Sequence, residues 1–173
     1  WNYLFFGNSG IILIKEIFKQ KSYYTIKGAI KMYNDLTPQS LPDENYLKLL
    51  GTAICCFNSN NGFIIENILR NDTKGEYNWY DLIDRTSGRL TAPIQKFITE
   101  HSDKEIADLF SDLVDQRNRI IHSFRITSPA GTQILATKEP NTHKQFHITE
   151  EYLQDFIKKN GQLSSLLHKF RGY

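Results

Sequence analysis

The sequence predicts a mainly α protein: a bundle of four to five helices with a small β-hairpin excursion between its last two helices. Three observations predict it. Apolar residues recur at helical spacing over several long stretches. Residues 124–148 switch to period two, with Pro and Gly between the runs. The chain has 173 residues, 40% of them hydrophobic, which is enough to bury one core without a disulfide or metal staple.

Residues 1–40 are read as an N-terminal segment of unassigned role, and 41–173 as the helical domain. In the segment, Ile11, Ile14 and Phe18 suit a helix, while 11–14 also suits a buried strand. Lys15, Lys19, Lys21, Lys27 and Lys31 make it basic, which reads as a solvated face. The chain opens on Trp1 rather than Met, as a piece of a longer protein would. Thr37-Pro38-Gln39-Ser40-Leu41-Pro42 then breaks the chain.

Asp43 is placed to cap a helix over about 43–70, with Tyr46, Leu50, Ala53, Ile54, Phe57, Ile64, Ile65 and Ile68 on its apolar side. Gly51 and Gly62 weaken it by roughly 1 kcal/mol each relative to Ala. The polar run Asn58-Ser59-Asn60-Asn61 either divides this helix or presents amides to a neighbour; helical phase turns it toward the third helix. A second helix is expected over 79–100, with Leu82, Ile83, Leu90, Ile94, Phe97 and Ile98 inward and Pro93 kinking or dividing it. Ser102-Asp103-Lys104-Glu105 reads as a capping box. It opens a third helix with Ile106, Leu109, Phe110, Leu113, Val114, Ile120 and Ile121 inward, ending near Ser123 or Phe124. After the β excursion, Thr149 caps a last helix whose first-turn acids, Glu150 and Glu151, suit the positive helix end. Gly161 is its weak point.

Composition excludes several classes. The apolar and aromatic content (13% aromatic) is too high for a disordered chain. No run approaches the roughly 18 apolar residues of a membrane span, so no membrane partner is expected. A net charge of +2 lacks the broad positive field of a protein held mainly by phosphate charge, so any nucleic-acid role rests on a local site. Cys55 and Cys56 are adjacent in an apolar context and read as two buried thiols in a reducing cytoplasm. Gly7-Asn8-Ser9-Gly10 lacks the lysine of a phosphate loop. His143 and His147 are four apart, but no Cys, Asp or third His nearby completes a tetrahedral metal site. No metal or cofactor is therefore expected, and the pair reads as hairpin surface within reach of RNA. Tyr77, Trp79 and Tyr80, near Arg85 and Arg89, read as bundle packing before base stacking.

The chemistry concentrates in Asp115-Gln116-Arg117-Asn118-Arg119-Ile120-Ile121-His122-Ser123, late in the third helix. Asn118 and His122 are four apart and share a face. Arg117 and His122 are about 140° apart around an ideal helix, within reach of a long arginine. Arg and His in a last turn also complement the helix dipole, and Arg117 and Arg119 have Asp112 and Asp115 as possible surface partners.

This segment resembles the R-x4-6-H motif of the HEPN superfamily: Arg117, four residues, then His122, with the polar Asn118 directly after the arginine. In outline the resemblance covers about residues 43–170, a long helix pair, the motif helix and a closing helix. It implies a metal-independent endoribonuclease of toxin or defence type. In that chemistry the RNA's own 2′-hydroxyl attacks the adjacent phosphate and leaves a 2′,3′-cyclic phosphate. His122 would move a proton, Arg117 would hold the phosphate, and Asn118 would orient the histidine. Arg119 and Arg125 are candidates for RNA backbone contacts. The resemblance further implies a homodimer whose two motifs meet at a composite site, and a restraining partner such as a nucleotidyltransferase-like antitoxin. The alternatives are a non-catalytic binding module of the same family and an unrelated helical domain in which Arg117 and His122 are structural.

Overall fold

The computed structural model describes residues 36–173, so the expectations for residues 1–35 lie outside the described residues. Residues 36–43 hold neither helix nor strand, as two prolines around a polar turn require. Residues 42–173 form a compact unit of their own.

Helix α1 spans Glu44–Asn71. It starts where Asp43, in extended conformation, accepts the Tyr46 N–H at 2.9 Å and so satisfies one of the first-turn donors. Neither Gly51, Gly62 nor the polar run at 58–61 divides it. Burial of Ala53, Phe57, Ile64, Ile65 and Ile68 outweighs about 1 kcal/mol per glycine. Asn60 explains the polar run. It is buried, and its Nδ2 donates to the backbone carbonyl and Oδ1 of Asn160 at 2.8 and 3.0 Å. It therefore faces the last helix, not the third as helical phase alone suggested.

The helix expected over 79–100, kinked or divided at Pro93, is four short pieces. These are α2 (Trp79–Ile83), a 3₁₀ turn (Ser87–Leu90), α3 (Thr91–Phe97) and a second 3₁₀ turn (Thr99–His101). Pro93 is not the breaker. It is the third residue of α3, where its missing N–H would have had no helical partner. The break falls at 84–86, just before Ser87 and Gly88, two weak helix formers. Leu82, Leu90, Ile94, Phe97 and Ile98 point inward, but Ile83 is exposed.

Helix α4 spans Glu105–Ile121. The capping box does not form: Asp103, not Ser102, accepts the Glu105 N–H, at 2.8 Å, and Ser102 Oγ donates back to the Ile98 carbonyl. The helix stops at Ile121 with His122 as its C-cap. Ile121 is 51% exposed instead of inward, because the final turn runs past the core to feed the sheet. That sheet is the expected β excursion: β1 (Phe124–Thr127), β2 (Gln133–Lys138) and β3 (Gln145–Ile148) form an antiparallel meander. Gly131 takes the left-handed conformation (φ 81°) that the tight 128–131 turn requires. Helix α5 (Glu150–Arg171) follows, with Thr149 accepting the Tyr152 N–H and Gly172 closing the end at φ 93°.

Asn45 pairs with Glu150, Asn60 with Asn160 and Glu66 with Arg171. Both members rise together, so α1 and α5 run parallel. At the centre, Phe57 stacks on Phe110 at 6.1 Å and on Phe156 at 6.2 Å, joining α1, α4 and α5. The thiols expected inside are not there: Cys55 is exposed and Cys56 half-buried. On α1 they fall between the inward positions Ala53 and Phe57. Among the described residues, no helix is long and apolar enough to cross a membrane.

Candidate functional site

The segment 117–125 runs out of the last turns of α4 into β1: Arg117, Asn118 and Arg119 lie on the helix, His122 caps its end and Arg125 lies on β1. Arg117 lies over the Phe57 ring, its guanidinium carbon 5.1 Å from the centroid. Its Nη2 donates to Ser87 Oγ at 3.0 Å, and Ser87 is only 6% exposed. Arg117 Nε is buried with no hydrogen-bond partner, and the side chain makes no ion pair among the described residues. The result is a half-buried guanidinium, fixed on two sides and uncompensated in charge.

His122 is exposed at the helix end. Its N–H donates to the Asn118 carbonyl at 3.0 Å, and Ser123 Oγ closes the turn on the Ile120 carbonyl at 2.7 Å. Asn118 is half-buried on the same turn. Ile121 and Phe124, 51% and 43% exposed, flank the histidine with apolar surface.

Arg119 points elsewhere. Its Nη1 donates to the Lys138 carbonyl at 2.8 Å and ties the motif helix to β2. This makes it a strut between helix and sheet, a role the sequence reading of an RNA contact did not foresee. Arg125 is exposed on β1, opposite Leu135 in register. Asp112 does not pair with Arg117 or Arg119. Asp112 accepts from Gln116 and from Lys159, the latter at 3.0 Å. Burial disfavours the charge on Lys159, but Asp112 and Asp155 outweigh it and raise its pKa. Tyr152, beside this pair and packed on Phe146, is pushed up to about 12, first by burial and then by the Asp112 charge. It is therefore a neutral hydroxyl at ordinary pH.

Sequence reasoning missed Phe57 and Ser87 as the partners of Arg117. Phe57 was legible only as core, and Ser87 carried no signal of its own. Of the other candidates, Tyr77 packs edge-on against Phe97 with Arg85 over its face, whereas Trp79 and Tyr80 stay exposed. His143 Nδ1 lies 2.9 Å from Lys138 Nζ, and His147 is exposed on β3. Among the described residues, no group of three or more His, Cys, Asp or Glu is placed to hold a metal. A depression of about 260 Å³ on the sheet is lined by Ile126, Ala136, Gln145, Phe146 and His147. Compared with known proteins, the chain matches no family model, no curated protein and no solved structure.

Proposed function

We propose that this chain is a HEPN-like, metal-independent endoribonuclease of toxin or defence type, acting on RNA in the cytoplasm. The observation that carries the reading is the state of Arg117. A guanidinium that is half-buried, held by Phe57 and Ser87, and left without a counter-charge suits an anionic ligand. In this reading a scissile phosphate supplies the missing charge and accepts from Nε. His122, exposed at the end of the same helix, takes the proton from the 2′-hydroxyl or gives one to the leaving 5′-oxygen. Asn118 orients it. A second copy, meeting the first around the exposed Ile121, completes the site, and an antitoxin covers it.

The test compares wild type, His122→Ala and Arg117→Ala on single-stranded and structured RNA in EDTA, with the product ends analysed. Cleavage to 2′,3′-cyclic phosphates is expected, falling about 10²-fold or more without the imidazole. Cleavage unchanged in His122→Ala would place the site elsewhere. One observation favours a second reading, a binding or structural module: Arg117 packs as an interior strut between α1 and the Ser87 turn. There Arg117→Ala lowers the melting temperature, and wild type cleaves no RNA.

A further inference from the structure

We infer that the face of the β-meander bearing Phe124 and His147 is a docking platform for single-stranded RNA flanking the Arg117–His122 site. The inference takes its RNA occupant from the ribonuclease reading; the position of the platform comes from the sheet alone. Register sets the surface. Phe124 pairs with Ala136, and Ala136 with His147, so the three stand side by side across the strands on one face. Lys138 pairs with Gln145 two residues further along that face. The middle residue of the row, Ala136, is the smallest and is buried, so the row presents its contacts through Phe124 and His147 on either side. The 260 Å³ depression lies at this place, with Gln145 and His147 on its wall.

Each feature matches a part of a nucleotide. Phe124, 43% exposed, offers a ring face for stacking. Gln145 and His147, both exposed, offer donors and acceptors to a base edge. Lys138 Nζ and His143 Nδ1 are 2.9 Å apart, so the imidazole accepts there and its other nitrogen is free to donate to a phosphate. His143 reaches that position from a left-handed backbone (φ 56°), an uncommon conformation for a residue with a side chain.

Charge selects the occupant. Residues 122–148 contain Arg125, Lys138 and Lys144 against one acid, Glu139, with three of the chain's five histidines, whereas the other described residues hold more acids than bases. Lys138 stands on the platform face and Arg125 on the reverse face of the sheet. An anionic strand complements that; the net-acidic remainder of the described residues does not attract it. The bond from Arg119 to the Lys138 carbonyl holds the platform rigidly to the motif helix. Phe124 is two residues beyond His122, so a strand cleaved at one passes directly over the other.

The test uses the full chain and a fluorescein-labelled eight-nucleotide oligodeoxynucleotide, which lacks the attacking 2′-hydroxyl and so reports binding without cleavage. Anisotropy should show binding to wild type, a roughly tenfold weaker Kd for Phe124→Ala, and a salt dependence shallower by about one phosphate contact for Lys138→Ala. Phe124→Tyr should restore the affinity, and thermal melts confirm that the variants fold. Wild-type affinity in both alanine variants, or no binding to wild type, overturns the platform. If wild type cleaves RNA and the alanine variants bind unchanged, the platform falls and the ribonuclease stands. If binding depends on Phe124 but no RNA is cleaved, the ribonuclease falls and the platform stands.

Discussion

Asn60 shows at the scale of one residue why a polar side chain survives in the core. Two donor contacts reach Asn160, and Asn160 in turn donates to the Phe156 carbonyl at 2.8 Å, so the buried amides form a closed chain. Asn60→Ala strands the Asn160 acceptors, and urea unfolding should show a loss of about 1–3 kcal/mol. Replacing both by Leu should recover most of it, since matched apolar replacement removes the unmet groups. The sequence exposed the oddity, four polar residues inside an apolar helix, but not its partner, which is 100 residues away. Arg117 follows the same logic. Its distance from His122 was readable as helical spacing. Phe57 and Ser87, 60 and 30 positions earlier, were not.

At the scale of the element, local rules worked where the local signal was unopposed. Asp43 and Thr149 cap α1 and α5 as their residue types demand. They failed at 79–101, where apolar spacing fits a helix but several weak helix formers let tertiary packing choose short turns. The end of α1 carries a prediction. Asp72 is its C-cap, and its Oδ2 accepts the Tyr77 N–H at 2.7 Å. Burial alone would raise its pKa, but the backbone N–H groups of Glu76, Tyr77, Lys74 and Gly75 outweigh burial and hold it below the usual carboxylate value. A depressed carboxyl stabilises the fold above its unfolded pKa, and that stabilisation is lost as pH falls through the folded one. Melting temperatures between pH 6 and pH 2.5 should therefore fall less steeply in Asp72→Asn than in wild type. Parallel curves would refute the link.

For the whole molecule, the decisive contact is one hydroxyl. Tyr46, buried on α1, accepts the Leu135 N–H at 3.2 Å and donates to the Ile148 carbonyl at 2.7 Å. It thus stands between β2 and β3 where their register pairs Leu135 with Ile148. Burial pushes its pKa up and keeps it a donor. Tyr46→Phe should cost about 1–3 kcal/mol and speed hydrogen exchange at the Leu135 amide, while amides in the middle of α5 stay protected. Equal loosening of both would mean that the sheet does not depend on this anchor. The sequence by itself determined the helical class, the caps of the two long helices, the place of the β excursion and the position of the 117–122 segment. Each is written in spacing or in a neighbour a few residues away. Tertiary structure alone decided the parallel pairing of α1 and α5, the Asn60–Asn160 amides, and Arg119 as a strut. It also set Arg117 between Phe57 and Ser87. Those outcomes join residues about 20 to 100 positions apart, and only the closing of the core selects among the partners that local patterns leave equally good.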